Sequence, residues 1–274
     1  MQPVKKIYPV IAVLCNMFSP GLGFLYLGRI LPAIIMPAIM ILPIGIIAWF
    51  NLLFTPAGFY VAGCLTLLCW LAGVIYAAVL ARRTGATPRR RVQRWYFYVL
   101  FVICSALLSE LLLQNRGNLF GYETFRIPSA SMADTLQVGD FVIARTWHYR
   151  HNDPQRGDLL VFNYPPDPSI KYIKRVIGLP GDNIVINNNR VFINGKEYAE
   201  PYLKPANNTG LYPRDGRFVV PADSWFVLGD NRDNSRDSRY WGYLSREHLF
   251  GRVEFIWISY SNGVLWERVG LIPQ

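Results

Sequence analysis

The chain has little of the two residue types from which most metal sites and nucleophilic triads are built. Its 274 residues include only three histidines and four cysteines. The cysteines all lie inside apolar runs of the amino-terminal half: Cys15, Cys64, Cys69 and Cys104. The polar half therefore has no thiol for a disulfide framework or a thiolate metal site. We predict neither a metal nor a cofactor, and a histidine-based triad is short of candidates.

Acidic residues are almost missing before Asn115, where Glu110 is the only one. The same stretch has nine lysines and arginines, which gives it a net charge of +8, against +2 for the rest of the chain. The formal charge of +10 thus belongs mainly to the hydrophobic half. A nucleic-acid-binding protein instead clusters basic residues on its folded polar domain. We therefore expect no nucleic-acid partner.

Four apolar windows come close to the roughly 20 residues that span a bilayer core. They cover about residues 7–27, 30–50, 59–80 and 96–114. The first window is interrupted by Ser19-Pro-Gly-Leu-Gly23, so a broken or re-entrant segment remains an alternative to a full span. We expect residues 1–115 to form a membrane domain with three to four hydrophobic helical segments.

Arginines fill the segment between the third and fourth windows. Six of them, and no acidic residue, lie between Ala81 and Arg94. The positive-inside rule places such a loop in the cytoplasm. The fourth helix then runs outward and carries residues 116–274 to the exterior or periplasmic side. We therefore expect a multi-pass protein of the inner (cytoplasmic) membrane, in contact with membrane lipid.

Residues 116–274 show short alternating runs separated by turn residues, a pattern that is typical of β-strands. The predicted strands are Phe141–Arg145, Leu159–Asn163, Tyr172–Ile177, Ile184–Asn187, Val191–Asn194, Phe218–Val220, Trp225–Leu228 and Arg252–Tyr260. The only helical signal is a short turn at Ser245–Leu249. The polar half is thus predicted to be an all-β domain.

Two serines follow closely after the last apolar window, in Phe125-Arg-Ile-Pro-Ser-Ala-Ser-Met132. Pro128 disfavours the helical conformation at Ile127, which favours an extended approach. Side chains alternate along an extended segment, so Ser129 and Ser131 are expected on the same side. Taken alone, such a stretch is most often an ordinary loop.

A serine hydroxyl becomes a good nucleophile only when a base removes its proton, and a lysine can be that base. The polar half has four lysines: Lys171, Lys174, Lys196 and Lys204. Lys174 differs from the others because it lies in the middle of a predicted strand, on the same face as Tyr172 and Val176. Burial there would lower its pKa by disfavouring the ammonium. The strand alone favours the alternative of a surface lysine that pairs with a carboxylate.

Short polar side chains dominate Leu228-Gly-Asp-Asn-Arg-Asp-Asn-Ser-Arg-Asp-Ser-Arg-Tyr-Trp-Gly242. A calcium loop is one interpretation, but the glycine and the terminal glutamate of an EF-hand spacing are missing. Alternating aspartates and arginines instead favour an ion-pair network that fixes a loop. Ser235 or Ser238 would then be free to bond a neighbour.

These three stretches, in this order, resemble bacterial type I signal peptidases, also called leader peptidases, which are membrane-bound serine endopeptidases with a Ser-Lys dyad. Ile127-Pro-Ser-Ala-Ser-Met-x-x-Thr-Leu136 is similar to the nucleophile box of that family. The other matching boxes are Arg156–Phe162, Tyr172–Asp182 and Gly229–Gly242. The resemblance covers about Phe125–Ser259 and does not extend to residues 1–80. It implies helical transmembrane segments followed by a mainly antiparallel β catalytic domain.

The resemblance also implies roles for individual residues. Ser131 would be the nucleophile and Lys174 the general base, while Ser129 would donate a hydrogen bond to the oxyanion together with the Ser131 N–H group. Ser235 would orient the lysine amine. Residues implied to hold the site together are Arg175, Asp230, Asp237 and Arg239.

Two positions depart from the family pattern: Ala130 stands where the family has glycine, and Asp134 where it often has proline. Neither change removes a reacting group, but Asp134 adds a charge close to the predicted dyad. Its effect on the pH dependence of activity is therefore open.

The implied activity is the removal of N-terminal signal peptides from exported preproteins, after small residues in an Ala-x-Ala-like pattern. The secretion machinery would then be a partner. Two alternatives are a peptidase dedicated to one pilin-like or exported substrate, and a non-catalytic membrane scaffold. The scaffold is disfavoured because it would have no need for Ser129, Ser131 and Lys174.

Overall fold

The computed structural model describes residues 4–85, 87–88, 90–210 and 215–273. The chain divides into two compact units, Met1–Phe120 and Gly121–Gln274. The first unit is helical apart from one short antiparallel strand pair, β1 (Val4–Lys5) with β2 (Thr87–Pro88). Its helices are α1 (Pro9–Phe18), α2 (Leu22–Tyr26), α3 (Ile30–Trp49), α4 (Pro56–Thr84), α5 (Trp95–Gln114) and α6 (Arg116–Leu119).

Within the described residues, three helices are long and apolar enough to cross a membrane: α3, α4 and α5. They contain 20, 29 and 20 residues, and their most apolar windows have mean hydropathies of 2.5, 2.3 and 2.1. Pro37 and Pro43 lie inside α3. Such prolines are tolerated in membrane helices because neighbouring groups satisfy the freed carbonyls.

The first apolar window is broken, as the Ser19–Gly23 stretch indicates. Helix α1 ends at Phe18, and α2 begins at Leu22 after a turn in which Gly21 has a φ of 100°. Pro20 has no N–H group with which to continue the backbone hydrogen bonds of α1. The positive φ of the turn is one that glycine adopts readily. Since α1 has only ten residues, it is too short to cross a bilayer core as a helix.

The break is held together by the buried carboxamide of Asn16. Its Oδ1 accepts hydrogen bonds from the N–H groups of Gly21, at 2.8 Å, and of Gly23, at 3.3 Å. These N–H groups stand at the start of α2, where the helix itself offers them no partner. Gly23 also lies directly against α1, because a Cβ there would meet the Ala12 carbonyl oxygen at 2.2 Å. The interruption is therefore a packed element.

The second unit is mainly β. Its strands are β3 (Tyr122–Arg126), β4 (Asp140–Arg145), β5 (Leu159–Tyr164), β6 (Asp167–Gly178), β7 (Asn183–Asn187), β8 (Arg190–Ile193), β9 (Lys196–Glu197), β10 (Gly216–Val219), β11 (Ser224–Leu228), β12 (Leu244–Ser245) and β13 (Leu249–Ser259). One short helix, α7 (Ser238–Trp241), precedes β12. The alternation of the sequence predicts the long strands, but it misses β3, β9 and β12.

The strands form two antiparallel sheets. The larger has the order β12-β11-β6-β5-β13-β4-β3, and the smaller has the order β10-β7-β8-β9. A core between the sheets joins Ile177 of β6 and Phe226 of β11 to Ile184 of β7. The neighbouring residue on β6, Val176, packs into a different core with Phe162. The last five residues of β6, 174–178, are therefore buried and covered on both faces, and Lys174 is the first of them.

Replacement of Asn16 by alanine tests the packed break. The change leaves two buried backbone N–H groups without an acceptor, at a cost of about 1–3 kcal/mol for each. We expect Asn16→Ala to lower the midpoint of thermal unfolding in detergent. The matched control is Thr66→Ala, which removes a hydroxyl bond to the Met40 carbonyl and orphans no backbone donor. Equal shifts for the two variants would contradict a specific role of Asn16.

Candidate active site

Ser131 lies in a tight helical turn and not in an extended segment. Residues Ala130–Met132 form a 3-10 helix, whereas Ser129 before it is extended, with φ of −130° and ψ of 156°. The expectation of one extended segment through both serines is therefore wrong, although the two hydroxyls do lie side by side. The rule for proline restricts the residue before it and has no hold on residues further along. Burial of Met132, which packs with Ile127 and Leu136, stabilises the turn.

Lys174 meets Ser131 across a wide sequence separation. It lies on β6, opposite Leu160 of β5, and its Nζ is 2.7 Å from the Ser131 Oγ. The lysine is 3% exposed, with the Tyr172 ring 5.4 Å from its amine. Among the described residues it forms no ion pair within 4.0 Å, so the alternative of a surface lysine paired with a carboxylate does not apply.

Burial is the main cause of the perturbed basicity of Lys174. Loss of hydration disfavours the ammonium and lowers its pKa from 10.5 to about 8. The nearby carboxylates of Asp237 and Asp230 act in the opposite direction and raise the pKa, while the Arg239 guanidinium lowers it. At pH 7 about a tenth of the amines are then neutral and able to accept a proton.

Ser129 is exposed and stands beside the nucleophile position. Its Oγ lies 3.4 Å from the Ser131 Oγ, and either hydroxyl can donate to the other. The first N–H groups of a helical turn have no partner within the turn, so the N–H of Ser131 is of the right type to bind an oxyanion. The predicted oxyanion donors therefore stand together, and their role stays a prediction.

The aspartates and arginines of the polar loop form buried ion pairs. Arg175, next to Lys174, pairs with Asp230 through Nε–Oδ1 at 2.9 Å and Nη2–Oδ2 at 2.7 Å. Arg239 pairs with Asp237 at 2.8 Å. Asp237 also accepts the Gly229 N–H at 3.0 Å. Both carboxylates that act on Lys174 are thus occupied by arginines, as the alternating pattern predicts.

Ser235 does not make the bond that the sequence resemblance implies. Its Oγ is buried and has no hydrogen-bond partner in the described part of the chain. The hydroxyl instead lies against Gly229, where an added Cβ would come within 2.1 Å of the Ser235 Oγ and 2.6 Å of the Ser131 carbonyl oxygen. Because residue 229 is glycine, the Ser235 side chain and the Ser131 carbonyl can both approach its backbone closely. A role of Ser235 toward the Lys174 amine stays a prediction.

Sequence reasoning assigned no role to two residues that fix the turn at residues 130–135, here called the nucleophile turn after the predicted role of Ser131. Asn231 donates its backbone N–H to the Ser131 carbonyl at 3.1 Å and its Nδ2 to the Ala130 carbonyl at 3.0 Å. Thr135 donates its hydroxyl to Asp230 in a short hydrogen bond. Both residues lie inside the matched boxes, which was the only signal available, because their partners are remote in sequence.

An open groove of about 410 Å³ runs past Ser131 and Lys174. Its residues come from the segment that leads to the nucleophile, from β6 and from the polar loop; among them are Phe125, Ile127, Ser129, Ser131, Met132, Ile170, Tyr172, Lys174 and Arg236. The groove is mostly apolar and open to solvent. Within the described residues, no group of three or more His, Cys, Asp or Glu side chains converges to hold a metal ion.

A model of the family described as "Signal peptidase, peptidase S26" matches residues 94–258. A protein named Signal peptidase I from Pseudomonas fluorescens is 37% identical over 229 residues, which cover 65% of this chain and 77% of the relative. A protein of the same name from Pseudomonas aeruginosa is 34% identical over 229 residues, which also cover 65% of this chain and 77% of the relative. A Probable signal peptidase I-2 from Synechocystis sp. is 44% identical over 49% of this chain and 62% of its own.

A solved signal peptidase I from Enterococcus faecalis V583 matches 37% of this chain and 97% of its own, at 33% identity and a TM-score of 0.33. The family match itself spans more than half of the chain and includes both Ser131 and Lys174. The chain therefore belongs to the signal peptidase family, peptidase S26, and is a hydrolase.

Proposed function

We propose that the protein cleaves N-terminal signal peptides from exported preproteins by means of a Ser131–Lys174 dyad. The observation that carries the proposal is the 2.7 Å contact between the Ser131 Oγ and a lysine amine that is almost fully buried. Burial supplies a neutral amine at accessible pH, and the contact gives that amine a hydroxyl proton to remove.

In the first half of the reaction, the Lys174 amine takes the proton of the Ser131 hydroxyl while the oxygen attacks the scissile carbonyl. The negative charge that develops on the carbonyl oxygen is stabilised by the Ser129 hydroxyl and the Ser131 N–H group. One such donor is typically worth about 10²–10³ in turnover. Collapse of the intermediate breaks the peptide bond, and the Lys174 ammonium returns the proton to the departing amine.

In the second half, the signal peptide is esterified to Ser131, and water takes the place of the released amine. Lys174, neutral again, removes a proton from this water as the oxygen attacks the ester carbonyl. The ammonium then protonates the Ser131 oxygen as it leaves, which restores the free enzyme. Arg175, Asp230, Asp237 and Arg239 hold the segments in place throughout.

We further propose that helices α3 to α5 anchor the protein in the inner membrane, with the arginine-rich loop before α5 on the cytoplasmic side. The charge asymmetry of the sequence supports this orientation. The β unit would then meet its substrates on the exterior or periplasmic side. There the groove would accept small residues before the cut, and the secretion machinery would deliver the precursors.

Replacement of either dyad member tests the chemistry. We expect Ser131→Ala and Lys174→Ala each to lose cleavage of a preprotein in detergent, and Lys174→Arg to be inactive because a guanidinium is not deprotonated at working pH. Ser169→Ala and Lys196→Ala are the matched controls, because both residues are exposed and lie outside the groove. Normal processing by any of the three dyad variants would refute the dyad. A panel of precursors in the same assay separates a general peptidase from one dedicated to a single substrate.

The pKa of Lys174 predicts the pH dependence of cleavage. Below pH 8 the amine is protonated and cannot accept the serine proton, so we expect kcat/KM to rise with pH through an inflection near 8.

The pKa of Lys174 also predicts how the stability of the fold depends on pH, because it is lower in the folded than in the unfolded chain. The free-energy cost of burying the ammonium is full below pH 8 and fades as the pH rises toward 10.5. Lys174→Met should therefore stabilise the fold most at neutral pH. A flat pH profile, or a stabilisation that does not fade at high pH, would contradict this account.

Accessibility of single cysteines tests the orientation. In a background without the native cysteines, Thr84→Cys marks the end of α4 and Asn118→Cys marks the segment after α5. We expect a membrane-impermeant thiol reagent to label Asn118→Cys in intact cells and Thr84→Cys only after permeabilisation. Labelling of Thr84→Cys from outside would reverse the proposed topology.

A further inference from the structure

Residues 200–209, here called the strap, lie outside all the boxes that carry the family resemblance. The strap has little regular structure, with one 3-10 turn at Pro205–Asn207. Nevertheless it contacts each of the three segments that supply the predicted catalytic groups. We propose that the strap positions Ser131 for attack and that Asp134 is its anchor on the nucleophile turn. This inference rests on the proposed Ser131–Lys174 chemistry.

The first attachment is at Asp134, three residues after Ser131. One carboxylate oxygen accepts the Lys204 N–H at 2.7 Å and the Asn208 Nδ2 at 3.1 Å. The other accepts a short hydrogen bond from the Asn207 Nδ2. Three donors converge on two oxygens, and an ionised carboxylate is the side chain that accepts on both. The residue that departs from the family pattern is thus the one that holds the strap.

The second attachment is beside the general base. The Tyr202 ring lies against the Arg175 guanidinium, whose central carbon is 3.9 Å from the ring centroid. Arg175 follows Lys174 on β6 and is itself fixed by Asp230. The Tyr202 hydroxyl donates to Glu200 at 2.6 Å, which holds the ring in place. The strap therefore reinforces the strand position from which Lys174 reaches Ser131.

The third attachment is to the loop that follows β11. Asp233 accepts the Thr209 N–H and hydroxyl, both at 2.7 Å. The Arg232 guanidinium pairs with Glu200, and both side chains are buried. The next residue back, Asn231, bonds the Ser131 carbonyl directly. The strap, the nucleophile turn and this loop thus close a ring of contacts around Ser131.

The role of Asp134 is geometric and not electrostatic. The charges that act on Lys174 are those of Asp237, Asp230 and Arg239, and Asp134 is not among them. The sequence leaves open how the charge of Asp134 affects the site. In the structure, its carboxylate accepts hydrogen bonds from three donors of the strap. Since a displacement of about 1 Å can cost about 10²-fold in rate, a loosened turn should reduce turnover strongly.

The experiment measures kcat, KM and the pH profile of Asp134→Ala in the full-length protein in detergent. We expect kcat to fall about 10- to 100-fold with little change in KM. The inflection near pH 8 should stay in place. Asp134→Asn keeps one acceptor oxygen and should recover part of the loss. Asn207→Ala should lower kcat less than Asp134→Ala, and the double variant should be no worse than Asp134→Ala alone.

Asp215→Ala is the matched control, since Asp215 also accepts a backbone N–H, from Asn188, but does so at the small sheet. Unchanged kcat in Asp134→Ala, or a shifted inflection, would overturn the positioning role. A readout independent of activity is amide hydrogen exchange, which should quicken in residues 130–136 and stay unchanged in 183–193. If the wild type cleaves no precursor, the proposed function fails, while the exchange data still decide the role of the strap.

Discussion

The burial of a single lysine amine is the constraint on which the rest of the β unit depends. Lowering the pKa of Lys174 from 10.5 to about 8 corresponds to about 3 kcal/mol of disfavoured ammonium. That penalty is sustained only because the end of β6 is buried. Lys174 lies opposite Leu160 of β5, and β11 pairs with residues 175–178. A looser sheet would admit water and restore the ammonium. The proposed role of Lys174 as the base therefore depends on packing remote from Ser131.

The buried ion pairs limit the effect that nearby carboxylates have on the Lys174 amine. Asp230 and Asp237 lie near enough to raise the Lys174 pKa, and either carboxylate, if free, would hold the amine as an ammonium. Each carboxylate is instead paired with an arginine, Asp230 with Arg175 and Asp237 with Arg239. Buried ion pairs contribute little net stability, because desolvation offsets their attraction. Their effect here is to hold the loop in place, while Arg239 opposes the upward effect of the two carboxylates on the Lys174 pKa.

Local sequence signals were sufficient for the parts of the fold that local forces decide. Apolar windows predict the long helices because transfer into lipid depends on composition, and alternation predicts the longer strands because each covers a core on one face. The break after α1 was likewise visible in Pro20 and Gly21. The resemblance to the family boxes predicted that Ser131 and Lys174 lie together in one site.

The parts that sequence reasoning missed are set by remote contacts. The 3-10 turn at Ser131 depends on Asn231, which is 100 residues further along the chain, and on burial of Met132. Residues 200–209 have no periodicity from which a role could be inferred, since their contacts are individual hydrogen bonds, one ion pair and one ring contact with segments remote in sequence. The position of the Ser235 hydroxyl against Gly229 was likewise not predictable, because it depends on how the polar loop folds.

The two kinds of attachment around Ser131 differ in what they can tolerate. Backbone bonds such as Asn231 N–H to the Ser131 carbonyl survive most substitutions, because they need no particular side chain. The carboxylate contacts of Asp134 and Asp233 depend on one residue each, but they reach across loops whose backbones cannot pair. A site assembled from irregular segments therefore needs polar side chains where a sheet would use its ladder. This explains why so many aspartates and asparagines surround a reaction in which the proposed reacting side chains are one serine and one lysine.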